Sequence, residues 1–325
     1  MRVLITGAGG FAGRHLCALW ASEPAEVSGL GRRDLSPEEI PAGLERYLCC
    51  DLEDPRQAAD AVAAERPDLV FHLAGQASVG NSWKDPGGTI RGNLDTTINL
   101  LEALRRHAPR ARVMIACSGE EYGAQNDLPV TEEHPLRPQN PYAVSKAAAD
   151  HAAALYHEAH GMHVVRMRAF NHAGPGQSDA HVVSKLARQI AEGEVAAGEG
   201  DAAEIVTGGL DVRRDFTDVR DVVRAYKIAM EHAAPGAYNV CSGRSTSIRA
   251  ILRGLSGLAA VEVRQRTDPA QLREREVNEI RGSHDKLARA TGWSPEIPLE
   301  RTLADTLEWW RGRVGAELTS VPAGT

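Results

Sequence analysis

The sequence Thr6-Gly7-Ala8-Gly9-Gly10-Phe11-Ala12-Gly13 joins an apolar run, Val3–Thr6, to a helical pattern over 11–22. Glycines at such a junction allow a tight turn, let the backbone approach a pyrophosphate and bring the helix close to the strand. An ordinary strand-to-helix loop is the alternative, but strand, turn and helix follow each other in the order that a dinucleotide site needs. We therefore predict that five residues of this turn contact a dinucleotide: Gly7, Gly10, Phe11, Ala12 and Gly13.

Short β-branched runs alternate with longer helical patterns up to about residue 170. The predicted strands are Val3–Thr6, Glu26–Leu30, Arg46–Cys50, Leu69–Ala74, Val113–Cys117 and Val164–Arg168, and the predicted helices span 11–22, 55–66, 93–107 and 141–160. Such alternation is typical of an α/β fold with a doubly wound parallel (Rossmann) sheet. After a loop at 171–176, helices are predicted near 181–193, 218–233, 246–257 and 298–311.

The change of pattern after residue 170 predicts the domain organisation. A nucleotide-binding domain is expected over 1–170, with some later segments returning to it. A smaller α/β substrate-binding domain is expected on the C-terminal side, mainly over 171–312. The small and polar residues 313–325 are expected to form a flexible tail.

The composition excludes several classes of protein. The chain has 325 residues, with 37 Lys and Arg against 44 Asp and Glu, and a formal net charge of -7. This balance disfavours binding to nucleic acid, and no apolar run reaches the roughly 18 residues of a membrane span. The five cysteines lack CxxC spacing, and the first residues do not have the layout of a signal peptide. We expect a cytoplasmic protein with reduced cysteines.

The residues after the second, third and fourth predicted strands indicate which nicotinamide cofactor binds and which further residues contact it. NAD enzymes of this fold carry an acid at the end of the second strand, whereas this chain has Gly31-Arg32-Arg33. Two guanidinium groups suit a 2′-phosphate, so NADP(H) is favoured over NAD(H). The alternative is that both arginines are solvated loop residues. Further predicted cofactor contacts follow the third and fourth strands: Asp51, Leu52, Leu73 and Ala74.

Tyr142 and Lys146 are four residues apart in a predicted helix, so both side chains can face one cleft. A nearby ammonium and a positively charged nicotinamide favour the phenolate and lower the pKa of the tyrosine. Ser118, after the fifth strand, can donate a hydrogen bond to the reacting oxygen. We predict that all three are catalytic and that Tyr142 and Lys146 also contact the cofactor; a surface Tyr/Lys pair is the alternative. No carboxylate–histidine pattern indicates a metal.

Together with the glycine turn and Tyr142-Ala143-Val144-Ser145-Lys146, two more motifs define a resemblance: Ser118-Gly119-Glu120-Glu121-Tyr122-Gly123 and Arg213-Arg214-Asp215-Phe216-Thr217. Residues 1–312 resemble the extended short-chain dehydrogenase/reductases that act on nucleotide sugars. The resemblance is closest to the branch of GDP-mannose 4,6-dehydratases and GDP-4-keto-6-deoxy-D-mannose reductases. It implies a GDP-sugar substrate, and a homodimer or tetramer formed through the helices at 93–107 and 141–160.

The resemblance also implies a set of substrate contacts. These are Asn171 at the sugar or pyrophosphate, Val182 and Lys185 at the nucleotide, Arg214 and Arg273 at phosphate, and Glu276 at the ribose. Arginine and lysine suit a pyrophosphate, and a carboxylate suits a ribose diol. For Arg214, a plain salt bridge to Asp215 or Asp218 is the alternative.

Glu120 is the fourth predicted catalytic residue, and it leaves two reactions open. In the dehydratases, the residue at this place is the base that removes the C5 proton. Gly119, however, has no side chain where those enzymes carry Asp or Ser, and the segment 31–43 is short. The resemblance thus favours NADPH-dependent reduction of the C4 ketone of GDP-4-keto-6-deoxy-D-mannose to GDP-D-rhamnose or its C4 epimer. In that reaction Tyr142 is the proton donor and Glu120 holds a sugar hydroxyl. A GDP-mannose 4,6-dehydratase, a nucleotide-sugar 4-epimerase and a regulator that only senses NADP(H) are the alternatives.

Overall fold

A sheet of seven strands lies at the centre of the computed structural model, which describes residues 1–197, 202–271 and 277–319. The strands are β1 (Arg2–Thr6), β2 (Glu26–Gly31), β3 (Arg46–Cys49), β4 (Leu69–His72), β5 (Arg112–Ser118), β6 (His163–Ala169) and β10 (Gly236–Val240). Their order across the sheet is β10-β6-β5-β4-β1-β2-β3, and every neighbouring pair is parallel. Because the strand order reverses beside β1, the carboxyl ends of β1 and β4 form the place where such sheets bind ligands.

Helices cover both faces of this sheet. On one face lie α1 (Phe11–Trp20), α7 (Val219–His232) and α9 (Asp285–Thr291); on the other lie α2 (Pro55–Glu65), α4 (Pro86–His107) and α5 (Pro141–His160). The short helix α3 (Val79–Ser82) precedes α4. Successive residues of β1 point into different cores, with Ile5 on the α1 side and Leu4 on the α4 side, and neither is exposed. Burial on both faces explains why the strands are continuous apolar runs.

A smaller part of the chain packs around a third core. It contains the strands β7 (Asn171–Ala173), β8 (Ala202–Thr207), β9 (Arg213–Asp218), β11 (Ser245–Ser247), β12 (Glu262–Thr267) and β13 (Glu279–Ile280), and the helices α6 (Val182–Ala196), α8 (Ile248–Ser256) and α10 (Leu299–Thr319). β9 is the centre of a mixed sheet, paired with β7, β11 and β13, while β8 pairs with β12. The Trp310 indole nitrogen on α10 donates to Ser184 Oγ on α6 at 2.7 Å. Between these elements the chain returns to the large sheet, where it forms α7, β10 and α9.

Three of the differences from the sequence predictions have a clear physical reason. Helix α4 begins at Pro86 rather than at 93, because the Asp85 side chain accepts the Gly88 N–H at 2.9 Å and proline suits the first helical position. Asn171–Ala173 is a strand rather than part of a loop, since it pairs with β9. Helix α10 continues to Thr319, so the tail predicted from 313 is wrong over 313–319; Val314 is buried in the third core.

Two general properties bear on the environment of the protein. Among the helices of the described residues, none is both long and apolar enough to traverse a bilayer. The five cysteines are free thiols, of which Cys49 is exposed and the others are buried.

Candidate active site

The turn between β1 and α1 holds the helix against the strand that it follows. A Cβ on Gly13 would lie 2.2 Å from the carbonyl oxygen of Gly7 and 2.7 Å from that of Ala8, so only glycine fits there. Gly7 has a φ of 69°, and a Cβ on it would lie 2.8 Å from the backbone nitrogen of Ala74. The next residues, Phe11 and Ala12, form the first turn of α1, whose N–H groups have no partner within the helix. The glycine turn and the N–H groups of the first turn of α1 together fit a pyrophosphate.

The loop after β2 presents both predicted phosphate-binding arginines on the surface. Each forms an ion pair with a glutamate: Arg32 with Glu53 at 3.3 Å and Arg33 with Glu39 at 2.8 Å. The Tyr47 hydroxyl donates to the carbonyl oxygen of Arg33 at 2.8 Å, and it fills the space that a Cβ of Gly31 would need. The small residue at position 31 therefore has a packing cause of its own, independent of any phosphate.

The other predicted cofactor residues follow β3, the edge strand beyond β2, and β4, which lies beside β1. Asp51 is partly buried and its Oδ1 accepts the N–H of Glu53 at 3.0 Å, while Leu52 is buried in the core. Leu73 and Ala74 follow β4, and the Ala74 N–H donates to Thr6 Oγ1 at 3.2 Å. These residues line the carboxyl edge of the sheet near the reversal of strand order.

Ser118, Tyr142 and Lys146 meet at the same edge. Ser118 is the last residue of β5, and its hydroxyl is close enough to the Tyr142 phenol to favour the ionised form of that phenol. Helix α5 begins at Pro141 with Asn140 as its N-cap, so Tyr142 lies in the first turn. One turn later, Lys146 Nζ donates to the carbonyl oxygen of Ala116 at 2.7 Å. The structure thus brings the three residues together.

Burial sets the ionisation of this group. It raises the pKa of Tyr142, although the Ser118 hydroxyl acts in the opposite direction. Burial lowers the pKa of the Lys146 ammonium. The prediction of a lowered Tyr142 pKa is therefore wrong for the protein's own groups, because desolvation outweighs the lowering effect of Ser118. The phenol therefore carries its proton at neutral pH, as a proton donor must.

Asn93 is a buried residue of α4 that the sequence analysis missed. Its Nδ2 donates to Ser145 Oγ at 2.7 Å, and its Oδ1 accepts the N–H of Gln76 at 2.7 Å. Ser145 in turn donates to the carbonyl oxygen of Tyr142 at 2.7 Å. Asn93 therefore connects the loop after β4 to the catalytic turn of α5. No local pattern distinguishes such an asparagine, since its partners are 17 and 52 residues away.

Gly119 and Glu120 lie between Ser118 and the rest of the site. A Cβ on Gly119 would lie 2.9 Å from ring carbons of Phe170, so the phenyl ring fills the space that a side chain would need. Glu120 is partly buried, and its Oε2 accepts the Asn140 Nδ2 at 3.4 Å, which places the carboxylate near the start of α5.

The predicted substrate residues follow the catalytic edge into the smaller part of the fold. Ser118 is opposite Ala169 in the sheet, and Asn171 begins β7 two residues later. β7 pairs with β9, which carries Arg214. Val182 and Lys185 occupy the start of α6. The remaining two predicted residues, Arg273 and Glu276, lie outside the described residues.

Among the described residues, Arg214 contacts main-chain oxygens and forms no salt bridge with Asp215 or Asp218, which was the alternative considered for it. Its Nη1 donates to the carbonyl oxygens of Arg213 at 2.9 Å and Val277 at 2.8 Å. The Asp215 carboxylate instead accepts hydrogen bonds from Ser242 and Gly243. Arg214 is thus held at the smaller sheet, beside Val277.

A doubly wound sheet with a glycine turn, and a Ser/Tyr/Lys group at its carboxyl edge, defines an oxidoreductase of the extended short-chain dehydrogenase/reductase class. Comparison with known proteins narrows this class. The family described as GDP-mannose 4,6 dehydratase matches residues 4–306. The chain belongs to this family.

Individual relatives span nearly the whole chain. The GDP-6-deoxy-D-mannose reductase of Pseudomonas aeruginosa is 39% identical over 319 residues, which cover 97% of this chain and 99% of the relative. The structure of RMD from Pseudomonas aeruginosa complexed with NADPH has a TM-score of 0.83 at 36% identity, covering 96% of this chain and 100% of that one. The UDP-glucose 4-epimerase of Thermus thermophilus, in complex with NAD, has a TM-score of 0.83 at 31% identity, with 96% and 99% covered.

Proposed function

We propose that the protein reduces the C4 ketone of GDP-4-keto-6-deoxy-D-mannose, with NADPH as the reductant. A bound NADPH supplies the hydride. Tyr142 donates the proton to the ketone oxygen, and Ser118 stabilises the charge that develops on that oxygen. Lys146, fixed by its hydrogen bond to Ala116, contributes a positive charge at the site. The relative from Pseudomonas aeruginosa that is named as a GDP-6-deoxy-D-mannose reductase supports this assignment.

The packing of Phe170 against Gly119 is the observation that favours reduction over dehydration. A 4,6-dehydratase must protonate the departing C6 hydroxyl as well as remove the C5 proton, so it needs a second proton-carrying group beside its base. The phenyl ring leaves no room for a side chain at position 119. Glu120 therefore has no second proton-carrying side chain beside it at position 119, and we assign it to binding a sugar hydroxyl.

Two incubations of one purified sample test the assignment. In the first, the protein receives GDP-4-keto-6-deoxy-D-mannose and NADPH, and the nicotinamide absorbance is followed. In the second, it receives GDP-mannose and a catalytic amount of NADP⁺, and a 4-keto product is sought. We expect NADPH consumption in the first and no product in the second. A 4-keto product in the second would make the protein a dehydratase.

Glu120→Gln tests the part assigned to Glu120. The amide keeps a hydrogen-bonding oxygen, so we expect kcat/KM for ketone reduction to fall by less than about tenfold. If Glu120 moved a proton during the reaction, the same change would lower kcat by roughly 10²- to 10⁴-fold. Glu133→Gln, at an exposed glutamate of the following loop, is the matched control and is expected to have no effect.

The double variant Arg32→Ala/Arg33→Ala tests the coenzyme preference. If the two guanidinium groups leave Glu53 and Glu39 to bind a 2′-phosphate, their removal weakens NADPH binding by roughly 10- to 100-fold and leaves NADH binding almost unchanged. Arg264→Ala, which removes an exposed arginine paired with Glu262, is the control. Dissociation constants from nicotinamide fluorescence give the comparison. Equal loss of both coenzymes would contradict the assignment.

Further features of the function remain predictions. These are GDP-D-rhamnose rather than its C4 epimer as the product, a cytoplasmic location, and assembly into a homodimer or tetramer. Product analysis by NMR, fractionation and light scattering test them separately.

A further inference from the structure

Glu121 is a fully buried carboxyl group directly behind the catalytic serine. It lies in the single 3₁₀ turn Gly119–Tyr122, and its Oε1 accepts the backbone N–H of Ser118 at 2.7 Å. The Ser118 Oγ accepts the N–H of Glu120 in return, which completes a capping box. The orientation of Ser118 therefore depends on the side chain of Glu121.

A second buried carboxylate lies beside it and takes the available positive charge. Asp150 Oδ1 accepts from Arg166 Nη1 at 2.5 Å, and its Oδ2 accepts from Arg168 Nε at 2.8 Å. Arg168 Nε lies 3.8 Å from Glu121 Oε2, which is too far for a hydrogen bond. Within the described structure, Glu121 Oε2 has no hydrogen-bond partner at all. One carboxyl of the pair is thus fully paired and the other is half paired.

The arrangement suits a proton better than a metal ion. A thiol and two carboxylates, from Cys117, Glu121 and Asp150, have atoms within 4.8 Å of one another. The two guanidinium groups on Asp150 repel a cation there. Two carboxylates this close cannot both ionise cheaply when the guanidinium groups form hydrogen bonds with only one of them, so the other takes up a proton.

We propose that Glu121 is a positioning residue that carries a proton in the active protein, and that its ionisation switches the catalytic Ser118–Tyr142 pair to a less active state. Protonated, it holds the Ser118 backbone through Oε1 without placing a negative charge behind the reacting oxygen. Ionised, it adds a charge that opposes the negative charge developing on the ketone oxygen. The effect on turnover rests on the proposed ketone reduction.

The charges around the two carboxyl groups favour a proton on Glu121 rather than on Asp150. Burial, and then the charge of Asp150, raise the pKa of Glu121 to about 8, against the lowering effects of Arg168, the Ser118 N–H and Lys146. For Asp150, burial is outweighed by Arg168 and Arg166, which hold its pKa below its ordinary value. An ionised Glu121 also raises the pKa of Tyr142, which makes that phenol a weaker proton donor.

Titratable and charged side chains face Glu121 from each element that is packed against it. They are Cys117 on β5, Tyr142, Lys146 and Asp150 on α5, Arg168 on β6, and Tyr122 in the turn itself. Burial raises the pKa of the Cys117 thiol well above its ordinary value. Within this set, Glu121 is the carboxyl group whose pKa is raised to about 8.

The rate of ketone reduction against pH, measured for the protein and for Glu121→Gln, tests the proposal. Glutamine resembles the protonated acid, so we expect near-normal kcat at pH 7 in the variant. For the unchanged protein, kcat falls roughly three- to tenfold through an apparent pKa near 8. This alkaline decline is absent in Glu121→Gln. An alkaline decline caused by Lys146 would behave differently. The charge of Glu121 raises the pKa of Lys146, so in Glu121→Gln such a decline would move to lower pH.

Glu121→Leu separates positioning from charge. It removes the acceptor of the Ser118 N–H, so we expect kcat to fall roughly 10- to 100-fold at every pH, with KM little changed. Equal losses in Glu121→Gln and Glu121→Leu at pH 7 would overturn the proposal, because they would mean that the carboxylate charge itself is needed.

Thermal unfolding against pH gives a readout that does not need turnover. The folded pKa is raised above its ordinary value of 4.5, so the stabilising contribution is complete below about pH 4.5 and is lost as pH rises through about 8. We expect the melting temperature of Glu121→Gln to exceed that of the unchanged protein by a margin that grows over that pH interval. A constant difference would overturn the proposal. If no ketone reduction is found, this series alone decides whether Glu121 carries a proton, and the proposed function fails separately.

Discussion

Tyr142→Phe is expected to lower kcat for ketone reduction by roughly 10³-fold and to leave the dissociation constant of NADPH within about twofold. The variant loses the phenol hydroxyl, which is the proposed proton donor and the group on which Ser118 acts. It keeps the ring that packs at the start of α5. Stopped-flow measurement of NADPH oxidation, combined with fluorescence titration of NADPH, separates chemistry from binding.

Tyr156→Phe is the matched control for this change. Tyr156 lies in the same helix, and its hydroxyl donates to Glu102 Oε1 at 2.9 Å, on a different set of partners. We expect its kcat to stay near that of the unchanged protein. If Tyr142→Phe kept more than about a tenth of the activity, another group would have to supply the proton, and the assignment of Tyr142 would be wrong.

Gly13→Ala is the second change with a large expected effect, and it acts on folding and coenzyme binding together. The added Cβ would lie 2.2 Å from the Gly7 carbonyl oxygen and 2.7 Å from that of Ala8, both of which are backbone atoms that cannot rotate away. We expect α1 to shift away from β1, at a cost of about 3 kcal/mol or more in the free energy of unfolding. Urea denaturation and NADPH titration measure the two consequences.

Gly312→Ala shows whether that loss depends on the site. Gly312 lies in α10, and a Cβ there meets no atom within 4 Å. Since alanine is the better helix former, we expect this control to gain about 1 kcal/mol or to be neutral. Unchanged stability and NADPH binding in Gly13→Ala would contradict the close approach of α1 to the glycine turn.

Features that depend on local spacing could be predicted from the sequence. The glycine turn is specified by consecutive residues, and helix α5 has the predicted bounds because Asn140 caps it and Pro141 begins it. Tyr142 and Lys146 meet Ser118 because the carboxyl end of a parallel strand and the helix beside it share one edge of the sheet. These features account for the predicted fold class and the Ser/Tyr/Lys group.

Features that depend on contacts between distant segments could not. The ring of Phe170 excludes a side chain at Gly119 from 51 residues away, and Asn93 reaches Ser145 across 52 residues. No spacing in the sequence distinguishes Glu121 from the adjacent Glu120, and its burial beside Asp150 is a property of the folded site. The direction of the Tyr142 pKa was wrong for the same reason, since desolvation is a property of the folded site.

Deuterium transfer from NADPH labelled at the reactive position of the nicotinamide tests the central claim most directly. The purified protein receives GDP-4-keto-6-deoxy-D-mannose and the labelled coenzyme, and the product is analysed by NMR. The account predicts one deuterium at C4 of the sugar for each NADPH consumed, with the hydroxyl proton at C4 coming from solvent through Tyr142. Label at another carbon, or a sugar that stays unlabelled while NADPH is bound, would contradict it.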